Sequence, residues 1–344
     1  MKFNLNDFLK RMFNTDIGMD LGTANTLVYV AWKGIVLEEP SVVAIDERTG
    51  KVVEVGHEAK KMLETAPGFI KVERPLRNGV IANFEAAQAM IKAFLRRVLP
   101  SFVVVRPRVV VGVPSGITNV EKRAVEEAVD QAVGAREIHL VEEARLAALG
   151  AGLPIKEPAG NMVVDIGGGT TEIVVLSMGD VVEAKSLRVG GDEIDQAIIN
   201  YLKKNKNLLI GTRTAEEAKI KIGNVYPKPE WDSASMLVRG RNIQTQLPEE
   251  VELKAPEVRE ALLPTVEKIA ESVKETLEKI QPQLLADIMA RGIVLTGGGS
   301  LLKGLDEYLS EQTRVPVIVA EDPLRAVVKG AGKYLDFIRT YSSS

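Results

Sequence analysis

The chain contains the same short motif twice, 145 positions apart, and each copy joins two predicted strands. The first copy is Asp20-Leu-Gly-Thr-Ala-Asn-Thr26 and the second is Asp165-Ile-Gly-Gly-Gly-Thr-Thr171. In both, an apolar strand ends in Asp, a glycine turn follows, and a second strand starts at a hydroxyl residue. A repeat at the spacing of a domain predicts two related halves that face each other.

The composition of these two turns suits phosphate binding. Because glycine has no Cβ, the backbone N–H groups of Gly167-Gly168-Gly169 can approach phosphate oxygens closely. Thr23 and Thr170 add hydroxyl donors. The aspartates that end the two strands, Asp20 and Asp165, would place carboxylates on opposite sides of a cleft. Mg²⁺ commonly binds one or two carboxylates together with phosphate and water.

Other phosphate-binding motifs are missing from the sequence. It has no G-x-x-x-x-G-K-[ST] run and no G-x-G-x-x-G run. A P-loop and a dinucleotide-binding turn are therefore excluded. One glycine hairpin alone is an ordinary turn, whereas two in the same local context predict a shared phosphate site.

Three further segments extend the predicted nucleotide site. Gly297-Gly298-Gly299-Ser300 follows a strand and opens a helix, where N–H groups and the helix dipole can meet a nucleotide. In Glu216-Glu217-Ala218-Lys219, the first and last residues lie three apart on one helix face. Gly190-Gly191-Asp192 precedes another helix and is expected to pass close to a ribose. Taken singly, these segments are also explained as helix caps or a solvated helix face.

Composition limits the class of protein. The 344 residues suffice for two domains, and 45% hydrophobic with 26% charged residues is typical of a soluble globular chain. A net charge of −3 argues against nucleic acid as a partner. With no Cys and two His, thiolate sites and multi-histidine metal centres are excluded. Without a spanning apolar run or a signal peptide, a cytoplasmic location is expected.

Short β-type runs alternate with helical patterns, which predicts the α/β class. Thr214 and Glu217 form a predicted capping box that opens a helix. Pro256 to Ile280 has a helical pattern, with Pro264 expected to kink or divide it. Tyr226 to Leu253 is predicted to form a small peripheral sheet with loops.

The first thirteen residues have the pattern of an amphipathic interfacial helix. One face carries apolar residues, which are Met1, Leu5, Phe8, Leu9 and Met12. Burying them contributes at most about 8–12 kcal/mol, while ordering a dozen residues costs about 12 kcal/mol or more. One copy should therefore bind a membrane weakly, and a filament of many copies should bind well. A disordered tail or a helix packed on its own domain is the alternative.

A second apolar segment joins a helix to a strand. Its apolar residues are Phe102, Val103, Val104 and Val105. Because connecting loops are usually polar, an exposed apolar tip suits insertion into lipid. A buried extension of the following strand explains the same pattern.

The order of the motifs resembles the actin, sugar-kinase and heat-shock-chaperone ATPase superfamily. One branch, the MreB family of bacterial actins, is similar over nearly the whole chain, from about Asp16 to Asp336. The segments that carry this resemblance are Asp20–Thr26, Glu39–Ser41, Asn78–Ile81, Pro107–Val109, Asn161–Glu172, Gly191–Glu193 and Leu295–Leu302.

The resemblance implies an actin-like ATPase fold, in which two related domains of mixed sheets with helices face each other across a nucleotide cleft. Domain I would comprise residues 16–151 and 322–344, with a peripheral subdomain at about 41–78. Domain II would comprise residues 152–321, with a peripheral subdomain at about 187–253. Residues 1–15 would form the membrane-binding segment.

The resemblance also implies roles for single residues toward ATP and Mg²⁺. Asp20 and Asp165 would flank Mg²⁺ through water. The residues implied to hold the phosphates are Thr23, Ala24, Asn25, Gly167, Gly168, Gly169 and Thr170. Gly191 would lie near the ribose, and Glu216 with Lys219 near the adenosine. Gly298 to Ser300 would lie near the base and ribose. GTP stays an alternative to ATP, because these motifs contain no base-specific contact.

The implied hydrolytic carboxylate is Glu143, which would orient or activate the attacking water with help from Thr170. At this place the family usually has Glu-Glu-Pro and then small residues, whereas this chain has Glu142-Glu143-Ala144-Arg145. The loss of Pro leaves the helix start less fixed. Glu142 is the second candidate, and a role for Glu143 in complementing the helix dipole is the structural alternative.

The function implied is that of a cytoskeletal, weak ATPase. It would polymerise into straight, paired protofilaments on the inner face of the cytoplasmic membrane and determine rod shape by organising the cell-wall elongation machinery. A small-molecule kinase of the same superfamily is the first alternative, although no sugar site is recognisable. A chaperone ATPase is the second, and it requires a substrate-binding domain after the nucleotide domain.

Overall fold

The computed structural model describes residues 15–63, 65–99 and 106–341. The chain divides into two compact units. Unit 1 comprises the described residues up to Ile155 and those from Leu324 onward, and unit 2 comprises Lys156–Pro323. The predicted membrane contacts lie outside the described ranges and stay predictions; they are Leu5, Phe8, Leu9, Met12, Phe102, Val103, Val104 and Val105. None of the helices in those ranges has the length and apolar character needed to cross a membrane.

Unit 1 begins with a run of strands and short helices. The strands are β1 (Ile17–Leu21), β2 (Asn25–Val30), β3 (Gly34–Pro40), β4 (Val43–Asp46), β5 (Lys51–Val55), β6 (Ile70–Glu73), β7 (Leu76–Arg77), β8 (Val80–Ile81), β9 (Arg108–Val113) and β10 (Glu137–Glu142). The helices are α1 (His57–Lys61), α2 (Phe84–Val98), α3 (Asn119–Val133) and α4 (Glu143–Gly150).

The main sheet of unit 1 has the strand order β10-β9-β1-β2-β3. Strand β1 runs antiparallel to β2 and parallel to β9, and β10 continues the parallel part. Val109, Val110 and Val111 of β9 are fully buried, as expected for a strand covered on both faces. A smaller sheet, β5-β4-β6, has its own core of Val42, Ala44 and Ala59 within the predicted peripheral segment 41–78.

Unit 2 repeats this plan. Its strands are β11 (Asn161–Ile166), β12 (Thr171–Ser177), β13 (Asp180–Leu187), β14 (Leu208–Leu209), β15 (Ser235–Asn242), β16 (Pro248–Lys254), β17 (Ile293–Thr296) and β18 (Val317–Val319). Its helices are α5 (Gly191–Asn205), α6 (Thr212–Ile222), α7 (Pro229–Asp232), α8 (Ala255–Lys279), α9 (Pro282–Arg291) and α10 (Leu305–Thr313), with a 3₁₀ turn at Gly298–Leu301.

The two main sheets have identical topology. In unit 2 the order is β13-β12-β11-β17-β18, with β11 antiparallel to β12 and parallel to β17. The register repeats as well: Leu21 pairs with Thr26, and Ile166 pairs with Thr171, each 145 positions later. The predicted α/β class, with mixed sheets and helices in two related domains, is therefore confirmed.

Two local predictions were wrong. Helix α8 is continuous across Pro264, so the predicted division does not occur, while the predicted kink stays a prediction. Pro264 and Glu260 lie on the exposed face, so water can reach the Glu260 carbonyl whose helical hydrogen bond the proline removes. Helix α6 begins at Thr212 after Gly211 without a side-chain cap, so the predicted Thr214 capping box does not form. Glu217 pairs instead with Arg213, at 3.4 Å.

The chain returns to unit 1 with α11 (Ala326–Tyr341), which packs on α4 through two glycines. A Cβ on Gly150 would lie 1.8 Å from the Ala326 carbonyl oxygen. A Cβ on Gly330 would lie 1.8 Å from the Leu146 carbonyl oxygen. The helix backbones thus approach more closely than any side chain permits.

We expect Gly330→Ala to destabilise unit 1 by about 1–3 kcal/mol, because the helices must separate to admit the methyl group. This cost outweighs the gain in helix propensity of about 1 kcal/mol. Gly68→Ala is the matched control, since nothing lies within 4 Å of its Cβ position. Thermal unfolding followed by circular dichroism measures both, and equal melting temperatures would contradict the close approach.

Candidate functional site

The first hairpin turn is tight and is supported by hydrogen bonds from Ser41. A Cβ on Gly22 would lie 2.7 Å from the Asn25 carbonyl oxygen, so only glycine fits there. The Ser41 hydroxyl donates to the Gly22 carbonyl at 2.6 Å, and the Ser41 N–H donates to the Ala24 carbonyl at 2.9 Å. Ser41 belongs to a motif that the sequence singled out, but its supporting role was not predicted.

Thr23 at the tip of this turn is fixed by a residue from a distant segment. Its hydroxyl oxygen accepts a hydrogen bond of 3.0 Å from the Gly79 N–H. Gly79 adopts φ +75°, and a Cβ there would lie 2.3 Å from Pro114, so this close approach also needs glycine. The Thr23 hydroxyl can still donate its own hydrogen.

The second hairpin has the same turn with a different support. Gly167 N–H donates to the Thr170 carbonyl at 2.8 Å. The start of α5 supports the turn, because the N–H groups of Gly191 and Asp192 donate to the Gly167 and Gly168 carbonyls at 3.0 and 2.8 Å. These bonds use the carbonyl side of the turn and leave its N–H side open.

The tips of both hairpins present unused backbone donors. Within residues 15–63 and 106–341, the N–H groups of Thr23, Ala24, Gly168 and Gly169 donate to no protein acceptor. Two adjacent N–H groups at a turn form a concave site for an anion. Each hairpin can therefore bind phosphate oxygens through backbone atoms.

The two strand-ending aspartates differ in environment. Asp165 is only 6% exposed, and its Oδ1 accepts a 2.6 Å hydrogen bond from the Thr296 hydroxyl. Burial raises the pKa of the Asp165 carboxyl above its usual range, and the Thr296 bond opposes that rise. Asp20, paired in register with Leu27 on β2 and Gly112 on β9, is half-buried.

Glu143 shares a sheet edge with the first hairpin. Strands β1, β9 and β10 are parallel, so the end of β1 at Asp20 and the start of α4 lie at the same edge. Glu143 is 8% exposed, and a Cβ on Gly112 would lie 3.2 Å from its Cγ. Helix α4 begins after Glu142 without a side-chain cap, and the Arg145 Nε is buried without a hydrogen-bond partner.

The glycine segment after β17 lies directly against the strand that leads into the second hairpin. A Cβ on Gly297 would lie 2.4 Å from the Ile166 carbonyl oxygen, and one on Gly299 would lie 2.2 Å from its Cγ2. The Ser300 hydroxyl donates to the Gly297 carbonyl at 2.6 Å, so it shapes the loop itself. Gly298 is the exposed member of this segment.

Helix α6 brings one predicted residue to this region. The Lys219 ammonium donates to the Gly191 carbonyl at 3.1 Å and pairs with Asp195 at 2.8 Å. Ala218 is fully buried in the core, and Glu217 pairs with Arg213 and Lys221. Asp195 was not predicted; its spacing of four residues from Gly191 was the available signal.

Each unit thus brings most of its predicted site residues to one sheet edge or into contact with it, whereas Glu217 and Ala218 lie elsewhere on α6. In unit 1 the residues so placed are Asp20, Thr23, Ala24, Asn25 and Glu143; in unit 2 they are Asp165, Gly167 to Thr170, Gly191, Lys219 and Gly297 to Ser300. The described ranges hold no group of three or more His, Cys, Asp or Glu residues that could bind a metal alone. Single carboxylates beside open phosphate donors fit Mg²⁺ bound with a nucleotide, since Mg²⁺ takes few protein ligands.

Comparison with known proteins identifies the family to which the chain is similar. The sequence model of the MreB/Mbl protein family matches residues 14–343. The cell shape-determining protein Mbl of Bacillus subtilis is 48% identical over 325 residues, which cover 94% of this chain and 97% of Mbl. The cell shape-determining protein MreB of Escherichia coli is 50% identical over 332 residues, which cover 95% of each.

A crystal structure gives the same fold. MreB5 of Spiroplasma citri, crystallised with AMPPNP, superposes with a TM-score of 0.91 at 36% identity. The superposition covers 95% of this chain and 97% of MreB5. The actin-like fold is therefore shown independently of the sequence motifs.

We expect Asp165→Asn to raise the melting temperature at pH 7, without nucleotide or Mg²⁺, by about 2–4 °C. A carboxyl whose pKa is higher in the folded than in the unfolded chain costs nothing below its unfolded pKa. The cost in folding free energy grows as the pH rises from the unfolded-state pKa to the folded-state pKa, and it is complete above the folded-state pKa. The amide removes it while keeping an oxygen for Thr296.

Differential scanning calorimetry from pH 4 to 8 measures this effect. The gain of Asp165→Asn over the parent should grow with pH. Thr296→Val is the control, because it removes the hydrogen bond but leaves the carboxylate, and it should lower the melting temperature. An Asp165→Asn protein no more stable than the parent at pH 7 would show that burial does not penalise this carboxylate.

Proposed function

The chain belongs to the MreB/Mbl family, and on that premise we propose that it is a cell shape-determining actin-like protein that binds and slowly hydrolyses ATP. The proposal rests above all on the unused N–H groups of Thr23, Ala24, Gly168 and Gly169 among the described residues. Each tip is suited to phosphate oxygens of a nucleotide. The AMPPNP bound by MreB5 supports the same ligand class.

The two hairpins bind phosphate by different means. In the first, the Thr23 hydroxyl is fixed by Gly79 and donates alongside the backbone N–H groups of Thr23 and Ala24. In the second, the backbone N–H groups of Gly168 and Gly169 donate, and Thr170 adds a hydroxyl. Asp20 and Asp165 would hold Mg²⁺ through water. When bound, Mg²⁺ neutralises the phosphate charge and withdraws electrons from the bond that breaks.

For hydrolysis we assign Glu143 as the residue that orients and deprotonates the attacking water. It lies at the carboxyl edge of the parallel strands, the edge at which Asp20 and the first hairpin also lie. Thr170 assists from the second hairpin. The side chain of Glu143 is mostly buried, which limits its rotamers and favours one orientation.

Assembly completes the proposal. We propose that copies of the chain form paired protofilaments on the inner face of the cytoplasmic membrane and organise the cell-wall elongation machinery. Leu5, Phe8, Leu9 and Met12, together with Phe102 to Val105, would insert into lipid. The names of the Mbl and MreB relatives support a role in cell shape.

We expect Glu143→Ala to bind ATP as the parent does and to release phosphate about 100-fold more slowly, since a general base commonly contributes a factor of 10² or more. Glu142→Ala is the matched control, one residue earlier and outside α4. It should keep most of the turnover. A phosphate-release assay measures both, and loss in Glu142→Ala alone would move the assignment to Glu142.

Co-sedimentation with lipid vesicles tests assembly and membrane binding together. The parent should pellet with vesicles in ATP and stay in solution without nucleotide. A variant lacking residues 1–13 should still sediment as filaments at high speed but lose most of its vesicle binding, because avidity acts through the removed segments. Monomers at high protein concentration in ATP, or rapid phosphorylation of a metabolite, would contradict the filament function.

A further inference from the structure

An ion pair inside unit 2 links two of the segments expected to contact nucleotide. Asp195 lies in the second turn of α5, and Lys219 lies in α6. The Lys219 ammonium is 2.8 Å from the Asp195 Oδ1 and 3.1 Å from the Gly191 carbonyl oxygen. Both side chains are largely buried: that of Asp195 is 12% exposed and that of Lys219 is 19% exposed.

The first turn of α5, one turn before Asp195, supports the second hairpin. The Gly191 N–H donates to the Gly167 carbonyl at 3.0 Å, while the Gly191 carbonyl accepts from Lys219. One ion pair, from Asp195 to Lys219, and two hydrogen bonds, through Gly191, therefore connect Asp195 to the phosphate-binding turn. Because Lys219 has four rotatable bonds, its ammonium needs a fixed partner to keep this position.

We propose that Asp195 is a positioning residue for nucleotide binding, which holds Lys219 against the start of α5 and so couples α6 to the phosphate-binding hairpin. This inference rests on the proposed nucleotide-binding function. Asp195 contacts no ligand in this role; it acts through Lys219. Its contribution is to fix the adenosine-side and phosphate-side elements in one arrangement before the nucleotide arrives.

Asp195 must be ionised to hold Lys219, and its ionisation depends on pH. Burial raises the pKa of the Asp195 carboxyl to about 6, against the charge and hydrogen bond of Lys219, which lower it. The charged neighbours that add to the rise are Glu216, from α6, and Asp192, on its own helix. As the pH falls from 7 to 5, protonation therefore weakens the hold on Lys219.

Nucleotide titration by calorimetry with ATP tests the proposal. Asp195→Asn should weaken binding at pH 7.5 about tenfold, equivalent to about 1.4 kcal/mol. The control is Glu257→Gln, which removes a 2.6 Å ion pair to Lys206 beyond the other end of α5. Its affinity for ATP should match that of the parent.

Two further measurements separate positioning from a general loss of stability. The ratio of parent to Asp195→Asn affinity should fall toward one as the pH drops to 5, and taking the ratio cancels the titration of the ATP phosphates. In a Lys219→Met background, Asp195→Asn should have no further effect, since both act through one contact. Should Asp195→Asn fail to fold, Lys219→Met serves as the reference for the same pH series.

The outcomes distinguish the two proposals. A parent protein that does not bind ATP overturns the proposed function and this inference with it. A parent that binds ATP, with equal affinity in Asp195→Asn or additive effects of the two substitutions, overturns only the role of Asp195. A ratio of parent to Asp195→Asn affinity that does not change with pH also overturns the role of Asp195.

Discussion

The candidate site depends on two glycine hairpin turns whose tip N–H groups donate to no protein acceptor among the described residues. At Gly22 a Cβ would collide with the Asn25 carbonyl, and at Gly167 it would press on the Thr170 carbonyl. Ser41 in the first turn and the start of α5 in the second donate to carbonyl oxygens of the turns, and Gly79 donates to the Thr23 hydroxyl. An anion can therefore meet several donors that are already oriented, which lowers the entropy lost on binding.

The duplicated sheet gives each hairpin turn the same position, at the carboxyl edge of the parallel strands, with an identical register. The differences between the two copies determine what each turn offers to a phosphate. The first copy adds a hydroxyl fixed by Gly79, whereas the second has bare glycines. Asp165 is buried beside Thr296, while Asp20 is more open. A buried carboxylate that lacks a cation costs stability, which is typical of a site organised for a charged ligand.

Long-range contacts also govern the less regular parts of the site. The ammonium of Lys219 reaches from α6 to the Gly191 carbonyl, at the start of the helix that supports the second hairpin. At α4, Ala144 stands where the family usually has proline, Glu142 forms no side-chain cap, and the following Arg145 has a buried Nε without a hydrogen-bond partner. That guanidinium is the clearest departure of this chain from the expected pattern around the proposed hydrolytic residue.

Sequence alone determined the α/β class, the duplication and the residues of both hairpins, because turn chemistry is local: glycine and aspartate at fixed offsets suffice to recognise it. It also led to Glu143, through family resemblance. Tertiary structure decided the supports, since Ser41, Gly79 and Asp195 reach the site from elements distant in sequence. It also decided that α8 continues through Pro264, which lies on the exposed face of the helix. Local pattern indicates which face of an element is apolar, but not which distant element that face contacts.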